Sequence, residues 1–206
     1  MKIIGRKSSS NVQKVLWALA EMGVKYDRDD AGREFGVVDT DAYAALNPNR
    51  RVPTLVDGDL VLWESNSIVR HLARAHGVGT LHPTDANALA SADKWMDWQL
   101  TTLGPGFTNI FHGLVRDAPE KRNHAAIEKS RATTEANFEI VDAQLAKTAW
   151  LASDDFTMGD IPAGIYAYRW YAFEGIERKT LPNVERWYAA LQERPAFREL
   201  VMVGLG

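Results

Sequence analysis

The sequence predicts an α/β layer with mixed strand directions followed by an all-helical half. Two observations carry that division. Strand-type and helix-type runs alternate through residues 1–76, and beyond a stretch holding Gly77, Gly79 and Pro83 the strand signals nearly vanish. Residues 2–5 form a short strand candidate. Val12, Val15, Leu16 and Leu19 then recur at helical spacing, and Gly23 is placed to end that helix. Val24 and Tyr26 alternate with charges, which predicts a second strand over 24–28. Residues 31–46 read as loop with a short helix through 41–46. Pro53 opens the run Thr54-Leu55-Val56, where a residue without an N–H is tolerated at a strand start. Asp57-Gly58-Asp59 is a turn signal between that run and 60–63, and Ile68, Val69 and Leu72 begin the apolar face of a helix over 65–76. In the second half, helices are predicted over 87–111, 125–145, 161–173 and 184–191. Pro105 and Gly106 should bend or interrupt the first of these near Phe107. Phe156-Thr157-Met158-Gly159-Asp160 has the form of a capping box, with Asp160 in place of the usual Glu.

The chain has 206 residues, enough for one large domain or two small ones. A net charge of −3 with scattered basic residues gives no electrostatic reason to expect nucleic acid or an anionic membrane as partner. The absence of cysteine excludes disulfides, thiolate metal sites and a cysteine nucleophile together. No leader-like segment opens the chain and no window is apolar enough to span a membrane, so a cytoplasmic protein is expected.

Few residues are placed for chemistry. Ser8-Ser9-Ser10-Asn11 sits between the first strand and the first helix. One of them can simply cap that helix, or their hydroxyls can join the helix-start N–H groups in stabilising an anion. Glu64-Ser65-Asn66-Ser67 opens the helix at 65 in the same way, facing the strand edge at Val52-Pro53 across the hairpin. That juxtaposition suits an extended, peptide-like ligand. The five histidines never fall at the spacing of a helical metal pair, so no metal site is expected and each reads as a solvated or core group. No Gly-rich phosphate cradle, dinucleotide fingerprint or serine-hydrolase elbow is present. Asp97 reads as a solvated or interhelical hydrogen-bonding group. In the helical half Trp98, Phe107, Phe111 and Arg116 are the residues best placed to face a groove between the halves.

Four motifs together resemble a cytosolic glutathione transferase of the serine type, with the theta, delta and phi-like groups nearest in pattern. They are the serine cluster, Arg50-Arg51-Val52-Pro53-Thr54-Leu55, Trp63-Glu64-Ser65-Asn66-Ser67 and the capping box at 156–160, in the family's order. The resemblance implies a thioredoxin-like, glutathione-binding domain over 1–78, a linker at 79–86 and an all-α domain over 87–206. It also implies a homodimer that acts in detoxification, joining glutathione to a small hydrophobic electrophile. Carried onto this sequence, Pro53 would be a cis-proline, leaving the backbone of Val52 to pair with the cysteinyl unit of glutathione. Glu64, Ser65 and Asn66 would stand at the γ-glutamyl end, and Arg50 or Arg51 at the glycyl carboxylate. Ser9 stands six residues before Val15, the spacing of the catalytic hydroxyl in serine-type members, with Ser8, Ser10 and Asn11 as alternatives. Two departures are visible. Arg50 replaces a common glycine, which argues for a loop that tolerates a side chain, and Asn66 replaces an arginine frequent in delta-like members. Glutathione-dependent peroxidase, dehalogenase or isomerase chemistry, or a non-catalytic ligand-binding or docking role, are the alternatives on the same fold.

Overall fold

The computed structural model describes residues 1–205. Its first half is a four-stranded sheet in the order β2-β1-β3-β4, built from β1 (Lys2–Ile4), β2 (Asp27–Asp29), β3 (Thr54–Asp57) and β4 (Leu60–Trp63). β1 runs parallel to β2, and β3 runs antiparallel to both β1 and β4. The mixed directions follow from the connections. A helix, α1 (Ser10–Glu21), crosses from β1 to β2, whereas β3 and β4 are a hairpin closed at the Asp57↔Leu60 pair with Gly58 at φ 59°. α2 (Asp41–Leu46) starts on Thr40, whose hydroxyl accepts from the N–H of Tyr43, and α3 (Ser65–His76) follows β4. The second strand begins later than the alternation of Val24 and Tyr26 suggested. α1 ends in a left-handed Gly23 with the Val24 N–H bonded to Leu19 O at 2.9 Å, and this helix-stop motif consumes residues 22–24.

The linker expected at 79–86 is ordered. Leu81 is buried and its carbonyl accepts from the N–H of Met158 at 2.9 Å, and Ala86 is already helical because Asp85 caps α4 (Ala86–Trp98). The interruption expected near Phe107 lies a few residues earlier, upstream of Pro105. A π-type turn over Gln99–Leu103 lets α5 (Gly104–Phe111) restart with Pro105 in its first turn, where no proline N–H is needed. A second such turn, His112–Arg116, ends that arm. The remaining helices are α6 (His124–Leu145), α7 (Asp160–Ala172), α8 (Pro182–Gln192) and α9 (Pro195–Leu200). The last was not expected from the sequence.

One continuous apolar core runs from Ile3 to Val201 through both halves. α1 lies at its centre and is buried on every side from Val12 to Leu19. Trp17 on α1 meets Phe156 and Phe197 at ring-centroid distances of 5.6 and 4.8 Å, and a methyl group on Gly164 of α7 would come within 2.9 Å of its ring. Two polar anchors brace this packing. Glu21 accepts from Trp17 Nε1 and takes both arms of Arg194 at 2.9 and 2.6 Å. The capping-box aspartate is fully buried. Asp160 accepts from the N–H groups of Leu151 and Thr157, from Trp187 Nε1 and from Thr157 Oγ1. Burial pushes its carboxyl up to about 6 against those four hydrogen bonds, so it remains ionised and accepting at neutral pH.

Because Asp160→Ala leaves buried donors on three segments unpaired, it is expected to destabilise the fold by about 3 kcal/mol. Urea denaturation at pH 7 measures this, and a loss below about 1 kcal/mol would contradict the bracing role.

Candidate active site

A cleft of about 560 Å³ separates the sheet half from α5 and α7, within the size range of small-ligand sites. Its floor is the chain between β1 and α1. Ser9 caps α1 from extended backbone, is 9% exposed, and makes no side-chain capping bond. Its hydroxyl is therefore uncommitted within the described residues and stands where the helix start favours negative charge. Ser8, Ser10 and Asn11 line the same floor, and Asn11 Oδ1 accepts from Ser65 Oγ at 3.2 Å.

On the sheet side the Val52-Pro53 bond is cis, and Val52 makes no backbone hydrogen bond within the described residues. The carbonyl of Arg51 is held by Tyr43 Oη and Asn47 Nδ2, each at 2.7 Å, and this fixes the approach to that edge. Arg50 takes φ 52°, so the loop keeps the conformation glycine would favour and the arginine adopts it at some cost. The guanidinium of Arg50 turns back to Thr40 O and Asp41 at 3.2 and 3.4 Å. Glu64 is also left-handed, at φ 69°, which places strain at the head of α3 where its carboxylate and Ser65 face the cleft.

The helical wall supplies Phe107, Phe111, His112, Arg116, Tyr166 and Arg169. Phe107 stacks on Phe173 at 5.2 Å and meets Tyr166 edge-on at 5.1 Å. Arg169 is 5% exposed, lies over the Phe111 ring at 4.6 Å, and donates to Ser8 O at 3.4 Å. Among the described residues no group of three or more His, Cys, Asp or Glu side chains is arranged to hold a metal ion.

Comparison with known proteins agrees with this arrangement. Residues 8–75 match the family model for the glutathione S-transferase N-terminal domain, and residues 92–195 match that for its C-terminal domain. The chain belongs to the glutathione S-transferase family. Glutathione S-transferase GstB of Escherichia coli K12 is 44% identical over 201 residues, covering 97% of this chain and 96% of that protein. A theta class glutathione S-transferase from the citrus canker pathogen Xanthomonas axonopodis pv. citri, solved with glutathione bound, superposes with a TM-score of 0.95. It is 44% identical and covers 100% of this chain and 98% of its own. Glutathione S-transferase 4 of Zea mays is 30% identical over 213 residues, covering 100% of this chain and 95% of that protein. The chain is thus a transferase enzyme with glutathione as co-substrate, on a thioredoxin-like domain joined to an all-helical one. No described helix is long and apolar enough to cross a membrane.

Within this glutathione S-transferase cleft the structure gathers Ser8, Ser9, Ser10, Asn11, Arg50, Arg51, Val52, Pro53, Glu64 and Ser65, with Phe107, Phe111 and Arg116 opposite. Two expected residues stand elsewhere. Trp98, the last residue of α4, packs edge-on against Trp95 at 5.1 Å and does not line the cleft. Asn66 is 1% exposed and donates to Met96 O at 2.7 Å, so its amide joins the two halves and does not line the cleft. Asp97 pairs with Arg70. His112, expected to be a solvated or core group, lines the cleft, as do Arg6, Arg33 and Arg169. None of these had a motif, and only their placement in three dimensions marks them.

Lys14 was equally silent in the sequence. It lies fully buried below Ser9, donating to Asn66 Oδ1 at 3.2 Å and Gln99 Oε1 at 2.7 Å. Burial pulls it down from 10.5 to about 7, with Glu64 opposing and Arg169 reinforcing. Between those two values the unfolded chain binds a proton that the folded chain has released. Stability is therefore expected to rise with pH between about 7 and 10.5 and to be lower below 7. Lys14→Met should flatten that rise relative to the parent in urea midpoints across this range, and parallel profiles would contradict the assignment.

Proposed function

We propose that the enzyme activates the thiol of glutathione with the hydroxyl of Ser9 and transfers the resulting thiolate to an electrophilic carbon held against Phe107 and Phe111. The observation that carries this reading is the uncommitted Ser9 hydroxyl at the start of α1, inside the cleft. Neighbouring hydroxyls compete less well. Ser10 is already the first residue of α1, while Asn11, whose Oδ1 accepts from Ser65 Oγ, keeps its amide N–H donors as the alternative. The structure of the Xanthomonas relative with glutathione bound supports the same ligand here. Its cysteinyl backbone would add to the edge at Val52, its ammonium would meet Glu64, its γ-glutamyl carboxylate Ser65, and its glycyl carboxylate Arg50 or Arg51.

Ser9 acts as a donor and not as a base, since no carboxylate or imidazole receives its proton. A thiol of pKa ~8.5 needs about 2.7 kcal/mol of differential stabilisation to ionise near 6.5. A hydrogen bond to an anion contributes about 1.5–3 kcal/mol, and the helix start and the cleft arginines add to it. The thiol proton leaves to solvent. A carbon–sulfur bond forms as the leaving group departs with its electron pair. The same reading keeps the division into residues 1–78, 79–86 and 87–206 and takes the working form as a homodimer, an assembly that a monomer mass in light scattering would contradict.

Ser9→Ala is expected to raise the apparent pKa of bound glutathione and to lower kcat by tenfold or more, with a smaller change in KM for glutathione. The pH–rate profile with an aryl halide measures both. An unshifted profile transfers the role to Ser8, Ser10 or Asn11.

A further inference from the structure

We propose that the electrophile site is built for an anionic co-substrate, a molecule with an alkylating or arylating carbon and a carboxylate-class group held by Arg6, Arg33, Arg116 and Arg169. This rests on the transferase reading above and departs from the neutral hydrophobic electrophile that the sequence suggested. The four arginines come from four separate segments. Arg6 follows β1, Arg33 opens the turn Arg33–Phe35, Arg116 ends the arm after α5, and Arg169 lies on α7. None has a carboxylate within ion-pair distance among the described residues, although arginines elsewhere in the chain, such as Arg70, Arg131 and Arg194, are paired.

Two of these guanidiniums are partly withdrawn from water with their Nε donors unmet. The Nε atoms of Arg169 and Arg6 are buried and have no hydrogen-bond partner. Arg6 packs its Nη1 about 3.0 Å from the point where a side chain on Gly32 would begin. Arg116 lies over the Phe111 ring at 5.0 Å, on the same ring that carries Arg169. Burial, then repulsion from the others of the set, lowers Arg6 and Arg116. In Arg169 the same causes, opposed by the phenols of Tyr166 and Tyr168, bring it down to about 10. Unpaired buried cations are costly, and repulsion among them adds to the cost. An anion entering between them relieves both.

Glutathione does not account for this demand. In the reading above its carboxylates are assigned to Ser65 and to Arg50 or Arg51, whereas this cluster bridges to the helical wall beside Ser8, whose carbonyl Arg169 holds. The cluster lies beside the serine floor and against Phe107 and Phe111, where the body of the co-substrate would rest. The reaction itself is unchanged. Sulfur bonds to carbon, halide leaves with its electron pair, the thiol proton goes to solvent, and the carboxylate takes no covalent part.

The test uses the whole enzyme with 4-(bromomethyl)benzoate and with its methyl ester, each corrected for the uncatalysed reaction with glutathione. The expected result is a kcat/KM about tenfold or more higher for the acid, with that ratio shrinking severalfold in both Arg33→Met and Arg116→Met. Both side chains are solvent-exposed, and a thermal melt checks that each variant folds. Benzoate should inhibit competitively against the electrophile and not against glutathione. An ester turned over as well as the acid, or a ratio unmoved in both variants, overturns the anion assignment while leaving transfer intact. A rise in KM for glutathione alone assigns the arginines to glutathione and equally overturns it. Conversion of neither compound removes the transferase reading and this inference with it.

Discussion

Everything in the active cleft depends on α1 being buried on all sides. A helix in a two-layer α/β unit ordinarily presents one stripe to the sheet and the other to water. Here the second face of α1 is covered by α7 and α9, so Trp17 and Leu19 are as inaccessible as Val12 and Val15. That makes one helix the shared wall of both halves. Its N-terminus emerges in the seam between them, and Ser9 stands at that point. The hydroxyl is therefore positioned by the joint packing of the two domains, and neither could fix it alone.

Complete burial leaves the polar side chains of α1 only protein partners, which Gln13 lacks among the described residues and Lys14 finds. Lys14 has no carboxylate beside it and is satisfied by two side-chain carbonyl oxygens, Asn66 Oδ1 on α3 and Gln99 Oε1 in the first π-type turn. Asn66 in turn donates to Met96 O. These bonds tie three segments at a depth where an unmet donor would cost about 1–3 kcal/mol. They also explain why the Asn66 side chain does not line the cleft. The π-type turn that holds the buried Gln99 is the same feature that admits Pro105 at the head of α5. A local irregularity thus sets both the domain contact and the line of the aromatic wall.

Features governed by local chemistry were legible in the sequence. The hairpin at Gly58, the stop at Gly23, the Thr157–Asp160 capping box and the alternation of element types each rest on neighbours within a few residues, and each is found where the pattern put it. So were the cleft residues clustered in short motifs, from Ser8 to Asn11 and from Arg50 to Ser65. What escaped was set at long range. Arg6, Arg33, His112 and Arg169 carry no motif, and the sequence cannot show that segments 163 residues apart converge on one point. Arg50 failed for a different reason. Replacing a glycine with a side chain suggested an altered loop, yet tertiary contacts hold the glycine-like φ and the residue accepts the strain.

Net charge was the least informative quantity, and the cleft shows why. A chain of net charge −3 places six arginines around one cavity, with Glu64 the sole carboxylate lining it. Field inside a concave, partly desolvated site is set by the groups that line it, because water screens the acidic exterior far more strongly than the interior. The imbalance acts in one direction at each step of the chemistry. It favours a thiolate over a thiol, it favours a tripeptide with two carboxylates and one ammonium, and it opposes any cationic partner. On the helical wall the positive potential comes from Arg116 and Arg169. Both guanidiniums lie over the Phe111 ring, with Arg169 buried and Arg116 exposed. Both residues line the cleft, so their field is directed into it.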